Sequence, residues 1–150
     1  MNELKAELHN ACVKLVEERI QAIHDITAVA ESSALDETKS SAGDKYETGR
    51  EMLKQEMEKN AAQLDEAMKQ KQMLLSLTKT KAENTIGAGA LVETDKMFFY
   101  IAVGLGQVKF GNRQAMVISP VSPIGKMLLG KTAGEKFSFN SAQYHILNIS

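Results

Sequence analysis

The sequence predicts an α+β protein, with a long N-terminal antiparallel coiled-coil helical hairpin followed by a small C-terminal antiparallel β domain carrying a short helix. Three observations predict it. Seven of the eight aromatic residues, eight of the ten glycines and both prolines lie beyond residue 83. Charge divides near the same place: residues 1–84 hold twelve Lys/Arg against sixteen Asp/Glu, and the remainder six against three. Apolar spacing also changes there, from steps of three and four to runs separated by Gly, Asp, Asn or Pro. These coincident shifts place a boundary near residues 82–87 and divide the chain into residues 1–83 and 84–150.

The first helix is read from Leu4, Leu8, Cys12, Leu15, Arg19, Ile23 and Ile26, a row that only Arg19 interrupts. Leu53, Met57, Ala61, Leu64, Met68 and Leu75 form the second row, embedded in Glu, Lys, Gln and Ala. Glu31 to Gly43, rich in Ser and Thr, reads as the loop between them. Helices of about 28 and 38 residues would run roughly 42 and 57 Å. Neither narrow stripe is stable alone, so the two are expected to bury each other as a hairpin with its tip at about residues 31–47. In the second half, residues 90–93, 97–103, 114–118, 136–139 and 144–149 read as strands, and Pro123 opens a short helix over 123–129.

Composition excludes several classes. A formal charge of −1 gives no bulk polycation for holding nucleic acid, and no apolar run is long enough to cross a bilayer. With no basic-then-apolar leader at its start, the chain is expected to be cytoplasmic. The single Cys12 excludes an internal disulfide and a cysteine-built zinc site, and its place on the apolar row marks it as a buried small side chain. His9, His24 and His145 are scattered and read as packing or surface residues. Gly125 to Thr132 spells the phosphate-loop pattern G-x-x-x-x-G-K-[ST], but Ala-Gly-Glu and an alternating strand follow where a helix would be needed. At the hairpin tip, Asp36, Glu37, Asp44 and Glu47 stand with Glu31 near Lys39 and Lys45. Acids there suit a helix N-terminus, and they also form a carboxylate cluster carried about 40 Å from the body, able to offer oxygens to a hard cation.

The stretch Ile118-Ser-Pro-Val-Ser-Pro-Ile-Gly-Lys-Met-Leu-Leu-Gly-Lys-Thr-Ala-Gly-Glu135 resembles the S-P-[LI]-G-x-x-L-L-G-K-x-x-G-[DE] signature of the Gre-type bacterial transcript-cleavage and elongation factors. Tyr46-Glu-Thr-Gly-Arg50-Glu51 is similar to that family's Y-x-x-x-R-E. The resemblance implies an FKBP-like C-terminal domain and a coiled coil that enters the secondary channel of RNA polymerase. It also implies tip carboxylates that share Mg²⁺ with the polymerase active site, with no cofactor of the protein's own. Ser122, Pro123, Gly125, Leu128 and Gly130 would form or support the polymerase-docking surface. Seven and four residues before Tyr46, where the family has its acids, this chain has Lys39 and Ala42. Asp36 with Glu37, or Asp44 with Glu47, are the candidate replacements.

The resemblance therefore leads to a monomeric accessory factor that binds RNA polymerase, with no direct sequence-specific DNA binding and no membrane. It would have no catalysis of its own, at most stimulating the polymerase's RNA cleavage. The alternative is a coiled-coil adaptor or chaperone-like module with no polymerase role.

Overall fold

The computed structural model describes residues 2–39, 43–79 and 84–150, and the side chains of these except residues 33–48 and Lys79. Helices α1 (Glu3–Lys39) and α2 (Gly43–Ser76) are followed by strands β1 (Leu91–Thr94), β2 (Phe98–Ile101), β3 (Gly106–Phe110) and β4 (Arg113–Ile118). Helix α3 (Pro123–Leu128) and strands β5 (Lys136–Phe139) and β6 (Ala142–Ile149) complete the order. The fold is α+β, as the sequence predicts. Among the described residues, no helix is long and apolar enough to cross a membrane. The chain forms two compact units, one of Leu15–Lys71 and one of Met1–Lys14 with Gln72–Ser150.

The unit of Leu15–Lys71 is a helical hairpin. Glu17 and Lys71 form an ion pair at 3.4 Å, which the three residues between α1 and α2 permit only if the helices run antiparallel. Helix α1 continues to Lys39, so residues 31–39 are helical where the sequence suggests a loop. No glycine or proline lies in that stretch, and Ser and Thr alone do not stop an established helix. The buried seam also differs from the expected rows. Val16 and Ala30 are buried while Arg19 and Ile26 face solvent; on α2, Asn60 and Ala67 are buried while Ala61 and Met68 are exposed. Along α2 the buried and half-buried residues include Leu53, Met57, Asn60, Leu64, Ala67, Lys71 and Leu74, spaced alternately by four and three, with Gly49, Gln70 and Met73 half-buried beside that row. The expected rows followed apolar letters, whereas the seam follows the heptad and accepts an amide and a lysine.

The other unit is built on one six-stranded sheet of order β3-β4-β2-β1-β6-β5. All neighbours are antiparallel except β2 and β4, which are parallel because β3 carries the chain back between them. Strand β3 is absent from the expected list: Gly106-Gln-Val-Lys-Phe has only two strongly apolar residues, Val108 and Phe110, and both turn inward. Ile86, Val92, Phe99, Ile101, Ile118, Leu128, Phe137 and Ile146 form one core between a sheet face and α3. Phe99 meets Phe137 and Tyr144 edge-on, and those two rings stack with centroids 5.0 Å apart.

Residues 91, 100 and 117 are register partners and lie on the opposite face. Leu91, Tyr100 and Val117 are all buried, so the central strands are covered on both sides. That double burial is why β2 reads as the unbroken apolar run Phe-Phe-Tyr-Ile.

Strands β5 and β6 are joined by the two-residue turn Asn140-Ser141, in which both residues have positive φ (49° and 65°). That is the type I′ geometry a twisted hairpin prefers, and Asn tolerates it, but Ser does so at a cost of roughly 1 kcal/mol. Ser141→Gly is therefore expected to raise the chemical-denaturation midpoint by an amount corresponding to about 0.5–1 kcal/mol; an unchanged or lowered midpoint would contradict this reading of the turn.

Candidate functional site

Two regions bear the residues that sequence reasoning singles out. The first is the turn from Ser119 to Thr132. Pro120 and Pro123 restrict the backbone on either side of Ser122, which caps α3: its Oγ accepts from the Gly125 N–H at 3.1 Å and donates to the Ser119 carbonyl at 2.6 Å. Pro123 occupies the first helical turn, where its missing N–H is no loss. Gly125 is there because of a close approach. A Cβ at this position would lie 2.1 Å from the Ser119 carbonyl oxygen and 2.9 Å from Ser122 Oγ.

The helix divides its residues cleanly. Gly125 and Leu128 are buried, and Leu128 joins the sheet core. Val121, Met127 and Leu129 are exposed, Val121 by 74%, with Pro123 and Gly130 also at the surface. Leu129, apolar like the buried Leu128 beside it, is thus a surface residue. Of the five candidate docking residues, Gly125 and Leu128 act as support, while Pro123 and Gly130 are accessible and Ser122 is half-buried. Lys126 is the only basic residue on this short helix and lies in its last turn.

The same turn shows why the phosphate-loop letters carry no nucleotide site. The helix precedes Lys131 instead of following it. Backbone N–H groups that would have to cradle phosphates already have acceptors: Leu129 donates to Gly125, Gly130 to Ile86 and Lys131 to Leu128. The Thr132 N–H donates to the Glu135 carboxylate, and this bond, with that of the Thr132 hydroxyl, holds the carboxyl below its ordinary range.

The second region is the hairpin tip. Asp36 and Glu37 belong to α1, while Asp44 and Glu47 belong to the first turns of α2, a backbone position three residues apart. Their side chains lie outside the described residues, as do Ala42 and the side chain of Lys39. Among the described residues no group of three or more His, Cys, Asp or Glu side chains is placed to hold a metal.

A third polar cluster escapes the sequence reading. His9 is 3% exposed, and its Nδ1 lies 2.8 Å from the fully buried Tyr100 hydroxyl. Lys5, one turn earlier on α1, is 3% exposed and donates from Nζ to the Ser150 carbonyl at 3.3 Å. Cys12, one turn later, is fully buried, as expected. Burial pushes the thiol up to about 12, which makes it inert as a nucleophile. Burial foremost, and then Cys12, raise the Tyr100 hydroxyl as well. Burial, reinforced by Lys5, holds the His9 imidazole below its ordinary value, so it is neutral in the folded protein. Lys5, Leu8, His9 and Cys12 share one helical face, a spacing that marks them as a contact stripe once the polar letters are admitted.

No protein-family model and no curated protein matches the chain. A solved structure, that of the transcription factor Gfh1, is similar over 93% of this chain and 93% of that chain, with 22% identity and a TM-score of 0.35. That likeness is too slight to bear on function.

Two outcomes follow from this geometry. Ser122→Ala is expected to cost about 1 kcal/mol through loss of the cap, and Gly125→Ala roughly 1–3 kcal/mol through overpacking against Ser119, both read from urea midpoints. For His9, the unfolded chain takes up a proton at the ordinary imidazole value and the folded chain only at lower pH. The unfolded state therefore holds more protons in that window, and stability falls as pH drops below about 6.5. His9→Gln should flatten the stability profile between about pH 5 and 7; an unaltered slope would mean that His9 is not its source.

Proposed function

We propose that this protein is a Gre-like accessory factor that binds bacterial RNA polymerase at its secondary channel and modulates elongation, with the acidic hairpin tip directed at the active site. The observation that carries the reading is the Ser119–Thr132 turn. Its sequence resembles the family signature, and in the fold that signature separates into buried support (Gly125, Leu128) and an accessible apolar rim (Val121, Pro123, Met127, Leu129). A capped, proline-restricted turn that keeps large apolar side chains at the surface is suited to protein–protein contact, since rigid apolar anchors lose little freedom on binding. The C-terminal unit, in this reading, is FKBP-like and acts by docking.

The protein has no active site of its own in this reading. A helical hairpin is a natural probe for a narrow channel, and a pair of carboxylates at its end would complete the coordination of a polymerase-bound Mg²⁺ and orient water for RNA hydrolysis. Asp44 and Glu47 are three residues apart at the start of α2, a spacing suited to two groups that share one helical face. Asp36 and Glu37 are adjacent on α1, where successive side chains diverge by about 100°. The first pair is therefore the better placed to share one ion.

The test is a backtracked elongation complex of bacterial RNA polymerase incubated with the protein and Mg²⁺, with 3′ RNA cleavage followed over time. Accelerated cleavage that Asp44→Ala plus Glu47→Ala reduces by about 10²-fold or more would establish a cleavage factor whose acids are displaced from Lys39 and Ala42. Binding without cleavage would make it an occluding regulator. Failure to bind polymerase, with Val121→Ser and Leu129→Ser behaving like the parent, would sink the proposal and leave the adaptor reading.

A further inference from the structure

We infer that Asn60 is a built-in weak point in the helical seam, at which the facing turns of α1 and α2 part without the rest of the protein unfolding. Asn60 is 5% exposed, and its Nδ2 has no hydrogen-bond partner among the described residues. It sits in the heptad series Met57, Asn60, Leu64 and Ala67, so its side chain belongs to the seam. Counting inward from the Glu17–Lys71 ion pair by eleven residues on each helix reaches Ala28 and Asn60. The seam residues of α1 that flank it are then Thr27 and Ala30.

Nothing nearby makes up for the amide. Ala30 and Ala67 are the buried apolar residues around it, and both are small. Leu53, Met57, Ile23 and Leu64 are only half-buried. Toward the other end of this unit, Val16 is fully buried and the Glu17–Lys71 pair adds a second tie. Local opening is cheapest where apolar burial is least and a desolvated polar group regains water on opening, and both conditions meet at Asn60. An apolar residue at this seam position would remove the second condition and improve the first.

The experiment is native-state hydrogen exchange on the full chain at increasing sub-denaturing urea. In the parent protein, amides of residues 24–31 and 54–61 are expected to exchange through an opening with little urea dependence, well ahead of amides in β2 and β4. Asn60→Leu should slow those hairpin amides by roughly ten-fold or more, with a smaller change in β2 and β4. Ala61→Leu, a neighbouring exposed position, should leave them nearly unchanged. Should Asn60→Leu lose its helical circular dichroism, Asn60→Ala decides instead, with slowing of at least a few-fold expected. Unchanged exchange in the variant, or exchange of all these amides only with β2 and β4, overturns the inference. So does faster exchange in Asn60→Leu with helicity intact, which would make Asn60 a stabilising, register-fixing residue.

Discussion

Strand β2 places Phe99 in one apolar layer and Tyr100 in the other, and the rest of its unit follows from having to cover both. On the first face the answer is local: α3 and the β5–β6 hairpin bring Leu128, Phe137 and Tyr144 onto Phe99. On the second it is distant in sequence, because the hydrogen bond to Tyr100 comes from His9 in the first turns of α1. A buried phenol needs a partner, and a buried neutral imidazole is one of the few side chains that can offer it without bringing a charge. This explains why the beginning of the chain is in the same compact unit as its end. Lys5, joined to the Ser150 carbonyl, and Glu7, which crowds Gly111 in the β3–β4 turn, make the same connection at two more points.

The consequence for function is a division of labour along one helix. The first turns of α1 are held by two long-range hydrogen bonds, His9 to the Tyr100 hydroxyl and Lys5 to the Ser150 carbonyl, and by the fully buried Leu8 and Cys12. Beyond Val16 the same helix enters a seam in which most aliphatic residues are only half-buried and which holds two small alanines and one unsatisfied amide. Stability is therefore concentrated where the helix meets the sheet unit and thins along the hairpin. A protein that works by presenting the end of a hairpin needs a firm base more than a uniformly tight stalk, so the gradient agrees with the proposed role.

Much of this was legible in the sequence, and the misses have separate physical causes. The composition break located the change from helix to sheet, and Pro123, Gly and the alternating Lys-Phe-Ser-Phe located α3 and β5 within a residue. In the helical seam and at His9, what escaped was carried by polar residues in buried places. The apolar rows passed through Arg19 and Ala61 because the seam's own members include Asn60 and Lys71. Strand β3 escaped because Gln107 and Lys109 face outward on an edge strand. His9 reads in the sequence only as a packing or surface residue because its partner lies ninety-one residues away. The Ser and Thr between Glu31 and Lys39 read as a loop by propensity alone, but a helix already nucleated upstream propagates through them. The Ser119–Thr132 turn was the reverse case: its letters were informative, yet only the cap at Ser122 and the close approach at Gly125 separate the residues that shape it from those that meet a partner.

The tip carboxylates raise a competition that the backbone alone frames. Asp44 and Glu47 fall in the opening turns of α2, where an anion is favoured by the helix dipole and by unpaired N–H groups. A carboxylate whose charge is partly answered by a helix terminus is a weaker metal ligand. Over residues 36–47 the four acids Asp36, Glu37, Asp44 and Glu47 stand against Lys39 and Lys45, a modest excess of negative charge. Mg²⁺ gives up its water reluctantly and is usually held by one or two carboxylates together with substrate phosphates, so a tip of this kind would bind little metal alone. It would gain its ion only beside the phosphates and carboxylates of another active site. That dependence separates the two actions of a channel-entering hairpin: ligand geometry governs cleavage, while fit and charge govern occlusion. In the proposed role, acids displaced along the tip would therefore weaken the first action far more than the second.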